Sequence, residues 1–132
     1  MRLSIGQTSE KTGLSVDTLR YYERIGLLPR IERTQGGQRQ YSDENIARLR
    51  FIQRAQSMNF SLDEIADLLQ LRDSPGDVRH QVRHLTEQKL HAIEARIQEL
   101  NHLRHELTEL IEQCLLSDER CPIIDHMAGE TT

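Results

Sequence analysis

Ser15 to Tyr41 reads SVDTLRYYERIGLLPRIERTQGGQRQY, and this run decides the fold. Ser15 is a helix N-cap, with Asp17 and Thr18 in the first turn of a helix over Val16–Ile25. Gly26 stops that helix, and Leu27-Leu28-Pro29 leads out of it. Arg33 to Tyr41 then reads as a hairpin turning at Gly36-Gly37, a two-residue turn that tolerates positive φ. Arg20, Tyr21, Tyr22, Arg24, Arg30, Arg33 and Arg39 crowd a segment with few acids. Arginine neutralises and hydrogen-bonds phosphates, and tyrosine hydroxyls add neutral donors, so the run suits a duplex DNA backbone.

Working outward, Ser4 caps a short helix over Ile5–Thr12 that Gly13 ends, and the tight Gly13-Leu14 step joins it to the next helix. The pair is a helix-turn-helix whose second member is the recognition helix, and the basic hairpin behind it is a wing. Ser42 caps a third helix, Asp43–Met58, with Ile46, Leu49, Phe51, Ile52 and Ala55 as its apolar face. Ser61 caps a fourth, Leu62–Leu71, and Glu64 completes a capping box with it. Asp73-Ser74-Pro75-Gly76 breaks the chain.

From Val78 to about Leu116 there is no Pro or Gly. Ile93, Ile97, Leu100, Leu107 and Ile111 recur in a heptad-like pattern, Leu103 and Leu110 widen the stripe, and Arg104 occupies one seam position. One helix of that length spans roughly 57 Å at 1.5 Å per residue and cannot bury the stripe alone. A homodimer is the expected solution.

Composition sets the remaining bounds. Residues 1–60 hold 10 Lys+Arg against 6 Asp+Glu, and residues 61–132 hold 7 against 15, so a net charge of −4 conceals a basic front half and an acidic back half. That split suits a DNA-binding head on a solvated sensing or partner-binding tail. No apolar run reaches the roughly 18 residues of a membrane helix, and the N-terminus lacks a secretory pattern, so a cytoplasmic protein with no membrane partner is expected. No Gly-rich phosphate loop, catalytic His-carboxylate array or zinc-hydrolase motif is present, which argues against an enzyme. The two cysteines, Cys114 and Cys121, stand close together near the end. In a reducing compartment such a pair points to a metal or redox site before a structural disulfide. Cys121 precedes Pro122, which places it as the cap of a short helix, Pro122–Met127.

The run IGQTSEKTGLSVDTLRYYERIGLLP, then GGQRQY, then two capped helices and a long terminal helix, resembles the MerR family of transcriptional activators over essentially the whole chain. RYYERIGLLP carries one of the more specific short signatures of a DNA-binding family. The resemblance implies a mainly α fold: an N-terminal winged helix-turn-helix with a small β-hairpin wing, a long dimerisation helix forming an antiparallel coiled coil, and a short C-terminal metal-binding loop. The corresponding divisions are residues 1–72 for the DNA-binding domain with its second helix pair, 73–77 for a hinge, 78–116 for the dimerisation helix and 117–132 for the effector loop, short helix and tail.

By the same resemblance, the helix over Val16–Tyr22 enters the major groove and the dimer spans a palindromic operator in a promoter with an overlong spacer. Effector binding then bends and untwists the DNA, so that RNA polymerase is served through the promoter rather than by direct contact. Ser15, Val16 and Thr18 are expected at base edges or the first phosphates, Arg20 and Tyr22 on backbone, and Arg33, Arg39 and Tyr41 in the wing. Arg54 and Asn59 would add phosphate contacts. Tyr21 either joins them or packs against Leu19, Leu27 and Leu28. Glu23, which would repel phosphate, is expected to clamp an arginine internally.

Cys114 and Cys121 resemble the metal loop of the family's metal-responsive branch. Two thiolates alone suit Cu(I) or Ag(I) in linear geometry, whereas Zn(II), Cd(II), Hg(II) or Pb(II) usually takes three or four ligands. The divalent branch carries a further Cys, and the copper branch a Ser, near the position of Arg79; neither is present. Arg79 would neutralise a bis-thiolate site, or His80 or His84 would complete a divalent one with Asp118, Glu119 or His126. His91, His102 and His105 are read as solvated. A thiol-redox regulator is the nearest rival. A multidrug sensor is disfavoured, because about 16 residues after the long helix are too few for a ligand domain.

Overall fold

The computed structural model describes residues 1–129 as six helices and one two-stranded hairpin: α1 (Ile5–Thr12), α2 (Val16–Arg24), β1 (Glu32–Arg33), β2 (Arg39–Gln40), α3 (Asp43–Ser57), α4 (Leu62–Asp73), α5 (Arg79–Leu116) and α6 (Pro122–Met127). The expected tail after Gly129 lies outside the described residues. The chain divides into two compact units, Met1–Val82 and the part beginning at Arg83.

In the first unit, each of the four helices α1 to α4 starts at a serine whose hydroxyl accepts a backbone N–H three residues on. At Ser4, Ser42 and Ser61 the side chain of the third helical residue (Gln7, Asn45 and Glu64) accepts the serine's own N–H in return, closing a capping box. Gly13 ends α1 with φ 80, a left-handed conformation that glycine adopts without strain. The Ser9 hydroxyl donates to the Leu14 carbonyl at 2.6 Å, and the Gln53 amide donates to the Thr12 carbonyl at 2.7 Å, so the α1–α2 turn is tied to α3.

Leu19, Leu28, Leu49, Ile52, Ile65 and Leu69 form the centre of one core, with Ile5 and Leu14 packed at its edge. The core thus joins α1 to α4 and the exit from α2; α3 and α4 supply it with apolar residues at helical spacing, while α1 contributes Ile5 and the buried Thr8.

The wing differs from the sequence expectation in its turn. Glu32 pairs with Gln40 and Arg33 with Arg39, and the Thr34 N–H extends the ladder to the Gln38 carbonyl at 2.8 Å. Three residues, Gln35 to Gly37, therefore form the loop, rather than two. The Gly37 N–H donates to the Thr34 carbonyl at 2.9 Å, and of the two loop glycines only Gly37 has positive φ, 85. A turn followed by one left-handed residue is the usual three-residue hairpin loop. Leu3 bridges to Tyr41 through two backbone hydrogen bonds of 3.0 and 2.7 Å, anchoring the base of the wing to the N-terminus.

In the second unit, Leu110 is the one described residue of α5 that is buried. Glu106 accepts a 2.6 Å hydrogen bond from His126 of α6. Glu106, Leu110 and Cys114 are four residues apart and share one face of α5, so the His126 contact falls on the face that carries Cys114. Ile97, Leu100, Leu103, Leu107 and Ile111 are exposed, between 46% at Leu103 and 54% at Ile111. Among the described residues, no helix is long and apolar enough to cross a membrane.

Candidate functional site

The start of α2 presents a polar, accessible edge. Ser15 accepts the Thr18 N–H at 3.0 Å, and its hydroxyl donates to Thr18 Oγ1 at 2.8 Å, so both hydroxyls are ordered at the helix N-terminus. Ser15 and Arg20 are exposed, and Val16 and Thr18 half-buried. Arg20 lies 3.8 Å from Asp17, and both are solvated, a pair worth little and easily broken by a competing phosphate. Tyr21 is 40% exposed, and the Arg24 guanidinium sits 5.2 Å from its ring centre.

Two expected contacts are corrected by burial. The Tyr22 ring is only 4% exposed, and its hydroxyl donates to Gln56 Oε1 at 3.3 Å; it is a core residue linking α2 to α3. Tyr41 is 0% exposed and lies beneath the wing, out of reach of a backbone phosphate. Burial pushes its phenol pKa up, and its hydroxyl has no hydrogen-bond partner among the described residues. A sequence run shows that tyrosines are dense there, but a helix period decides which face inward. Tyr22 follows Leu19 at i+3 and so shares its buried side.

Glu23 is the internal clamp expected of it. Its carboxylate accepts Arg39 Nε at 2.8 Å and the Ile31 N–H at 3.3 Å, which fixes the wing base and the exit loop to the recognition helix. Burial alone would raise its pKa, but the Arg39 hydrogen bond, the Ile31 amide and the charges of Arg39 and Arg33 hold it below 4.5. Arg39 is consequently a strut of the wing through its Nε. Arg33 remains exposed, with one guanidinium nitrogen on the Gly37 carbonyl at 2.8 Å, and this contact stiffens the hairpin loop. Arg54 and Asn59 are exposed at the end of α3, and Asn59 takes the left-handed conformation, φ 70, that starts the step into α4.

The cysteine loop is compact. Cys114 lies in the last turn of α5, and its carbonyl accepts the Ser117 N–H at 3.3 Å. The Ser117 hydroxyl donates to the Arg120 carbonyl at 3.0 Å, closing the bend. Cys121 is the N-cap of α6, with its carbonyl accepting the Asp125 N–H at 3.0 Å. Both thiols are free and half-buried. Two such sulfurs are suitable donors for a soft ion, which fits a thiolate-bound metal. Among the described residues, no three His, Cys, Asp or Glu side chains gather as a complete metal cage. His126 is engaged by Glu106 at 2.6 Å. Asp125, which is in α6, faces Arg120 at 3.6 Å. His80 and His84 are exposed on the first turns of α5, and Arg79 there pairs with Asp77 at 3.4 Å.

Arg48, Gln53 and Gln56, which the sequence does not single out, make polar bridges over long sequence separations, two from Arg48 and one each from the glutamines. No local pattern marks such bridges.

A helix-turn-helix with ordered hydroxyls at the start of its second helix, an exposed arginine one turn on and a basic hairpin clamped beside it define a winged helix-turn-helix DNA-binding protein. Residues 3–72 match the family model described as the MerR HTH family regulatory protein, and residues 46–110 match the one described as MerR, DNA binding. The chain is 37% identical over 127 residues to a mercuric resistance operon regulatory protein of Bacillus cereus, covering 95% of this chain and 96% of that one. It is 38% identical over 127 residues to the HTH-type transcriptional regulator HmrR of Rhizobium leguminosarum bv. viciae, covering 96% and 98%. The fold matches a lead(II)-bound transcription regulator of Ralstonia metallidurans with a TM-score of 0.82, at 33% identity over 95% of this chain and 98% of that one. The chain belongs to the MerR HTH family of regulatory proteins, and it is a transcriptional regulator rather than an enzyme.

Proposed function

We propose that the protein is a homodimeric, metal-responsive transcriptional activator of the cytoplasm that binds a palindromic promoter operator. The observation that carries this reading is the pair of free, half-buried thiols of Cys114 and Cys121 at the end of α5. They occur in a chain whose whole length is similar to a mercuric resistance regulator and to a lead(II)-bound one. Ser15, Val16 and Thr18 meet base edges or the first phosphates and Arg20 holds the backbone, while Arg33, Arg39 and Arg54 hold flanking phosphates. Residues 1–72 act as the DNA-binding domain, 73–77 as a hinge, 78–116 as the dimerisation helix in an antiparallel coiled coil, and the segment from residue 117 as the effector loop. RNA polymerase is affected through the shape of the promoter.

Cys114 and Cys121 hold the ion, which supplies a crosslink between the end of α5 and the start of α6. The regulated state then differs from the basal one by the ion's differential affinity for the two conformations. Two thiolates satisfy a linear, soft ion such as Cu(I) or Ag(I), and the relatives direct attention equally to mercury(II) and lead(II). A divalent ion needing a third donor would draw it from His80 or His84 of a second copy.

The test titrates the reduced dimer with Cu(I), Zn(II), Hg(II) and Pb(II) against competing chelators and follows transcription from the operator-bearing promoter. One ion should bind at one per cysteine pair and activate. Cys114→Ser and Cys121→Ser should each abolish activation while leaving operator binding intact. A reversible disulfide with no bound metal, or loss of operator binding in the serine variants, would overturn the proposal.

A further inference from the structure

Arg48 makes contacts that neither the DNA reading nor the thiol reading uses. Its Nε donates to the Leu27 carbonyl at 2.7 Å, and one terminal nitrogen donates to Asp73 Oδ2 at 2.8 Å. Leu27 belongs to the exit from the recognition helix α2, and Asp73 is the last residue of α4. The partners lie 21 and 25 residues from Arg48 in opposite directions along the chain, so the bridge is tertiary rather than local. The Arg48 side chain is 20% exposed, whereas that of Asp73 is 55% exposed.

The neighbouring Arg72 stacks over Phe51 at 5.2 Å, so two successive residues of α4 are fastened to α3. Immediately beyond them the chain turns through Gly76, φ 99, and the Asp77 carboxylate accepts the Arg79 N–H at 3.0 Å as α5 begins. Between the exit loop and the end of α4 lies a cleft of about 470 Å³, lined by Gly26, Leu27, Arg48, Leu69, Asp73 and Pro75. Beside the buried Leu27 and Leu69, polar contacts through one guanidinium span this junction.

We propose that Arg48 is a positioning residue that couples the α4–α5 hinge to the recognition helix. A guanidinium is planar and presents its donors in a fixed fork, so displacing the carboxylate on one side displaces or breaks the carbonyl contact on the other. A lysine at position 48 has a single flexible donor head and would not transmit the same geometry. As a regulatory device the coupling rests on the metal-responsive reading above, because it is there that a signal from α5 must reach the DNA-binding helices.

The experiment compares the full-length wild type with Asp73→Asn and Asp73→Glu. Asp73 is largely exposed, so both variants should fold. In Asp73→Asn, amide hydrogen exchange at residues 27–31 should rise about tenfold, because the loop loses the fixed guanidinium that holds the Leu27 carbonyl. Operator affinity should stay within about twofold, while the ratio of metal-stimulated to basal transcription should fall about fivefold, a coupling loss of the size typical for mutations between two coupled sites. Asp73→Glu should recover both. Faster exchange confined to residues 70–78, or an unchanged stimulation ratio in a wild type that does respond, would overturn the coupling. A wild type that responds to none of Cu(I), Zn(II), Hg(II) or Pb(II) would refute the metal reading instead, and the exchange comparison would still decide whether Arg48 links hinge and helix.

Discussion

A carboxylate in the middle of a phosphate-seeking surface is costly unless a neighbouring cation holds it, and Glu23 is so held. It gathers Arg39 and the Ile31 amide, and its pKa is depressed because these partners outweigh its burial. The sign of the resulting pH dependence follows. A group with a folded pKa below its ordinary value contributes stability that is present above about pH 4.5 and lost as pH falls through the lowered value. Glu23→Gln should therefore destabilise the head by about 1–2 kcal/mol near neutrality, the cost of leaving a half-buried arginine without its acceptor. The gap between wild type and variant, read from urea midpoints, should close as the pH drops below 4.5. A gap of equal size at pH 3 and pH 7 would show that the carboxylate's charge is irrelevant. Glu23 was legible in the sequence by elimination, since it is the acid placed where phosphate repulsion forbids a free one. The roles of Tyr22 and Tyr41 were not legible, because residue type alone does not say which side of an element is buried.

Elements were readable where local chemistry decides them and not where geometry does. The serine caps, the Gly13 stop and the start of α6 at Pro122 are set by side chains within four residues, and all appear where the sequence places them. The hairpin loop is one residue longer than read, because Gly36-Gly37 offers two residues able to take positive φ and only strand pairing selects between them. Gly37 is selected, with φ 85, and a β-carbon built there would meet nothing within 4 Å. The penalty of Gly37→Ala is therefore backbone strain alone, about 1 kcal/mol. Such strain should loosen the loop that Arg33 braces and weaken operator binding about threefold to fivefold by anisotropy, since 1.4 kcal/mol is a factor of ten. Gly37→Asn should lose less, because asparagine enters the left-handed region more readily than alanine. Equal binding by the Ala variant would mean that the wing's loop geometry does not matter to DNA.

At the scale of the molecule, α5 carries two faces with different fates. Glu106, Leu110 and Cys114 share the face on which Glu106 accepts from His126 of α6, and Leu110 is 8% exposed. Ile97, Leu100, Leu107 and Ile111 form the other, and each remains about half exposed in a single chain. The heptad spacing announced the second face, but it placed Leu110 with the seam. The docking of a six-residue helix is invisible to periodicity, since it depends on a His126–Glu106 contact 20 residues apart. Burying an exposed Leu contributes about 1.5–3 kcal/mol, and a twofold-symmetric seam counts each such residue twice. Leu107→Glu places a charge on that seam in both copies, so the dimer constant should weaken by at least about a hundredfold. Sedimentation at micromolar concentration should then show monomer, and affinity for the full palindrome should fall towards that for a half-site. Retention of an intact dimer by Leu107→Glu would exclude this face as the interface. Glu99→Lys, on a solvated part of the same helix where Glu99 pairs with Arg96, is the matching control and should leave the dimer unchanged.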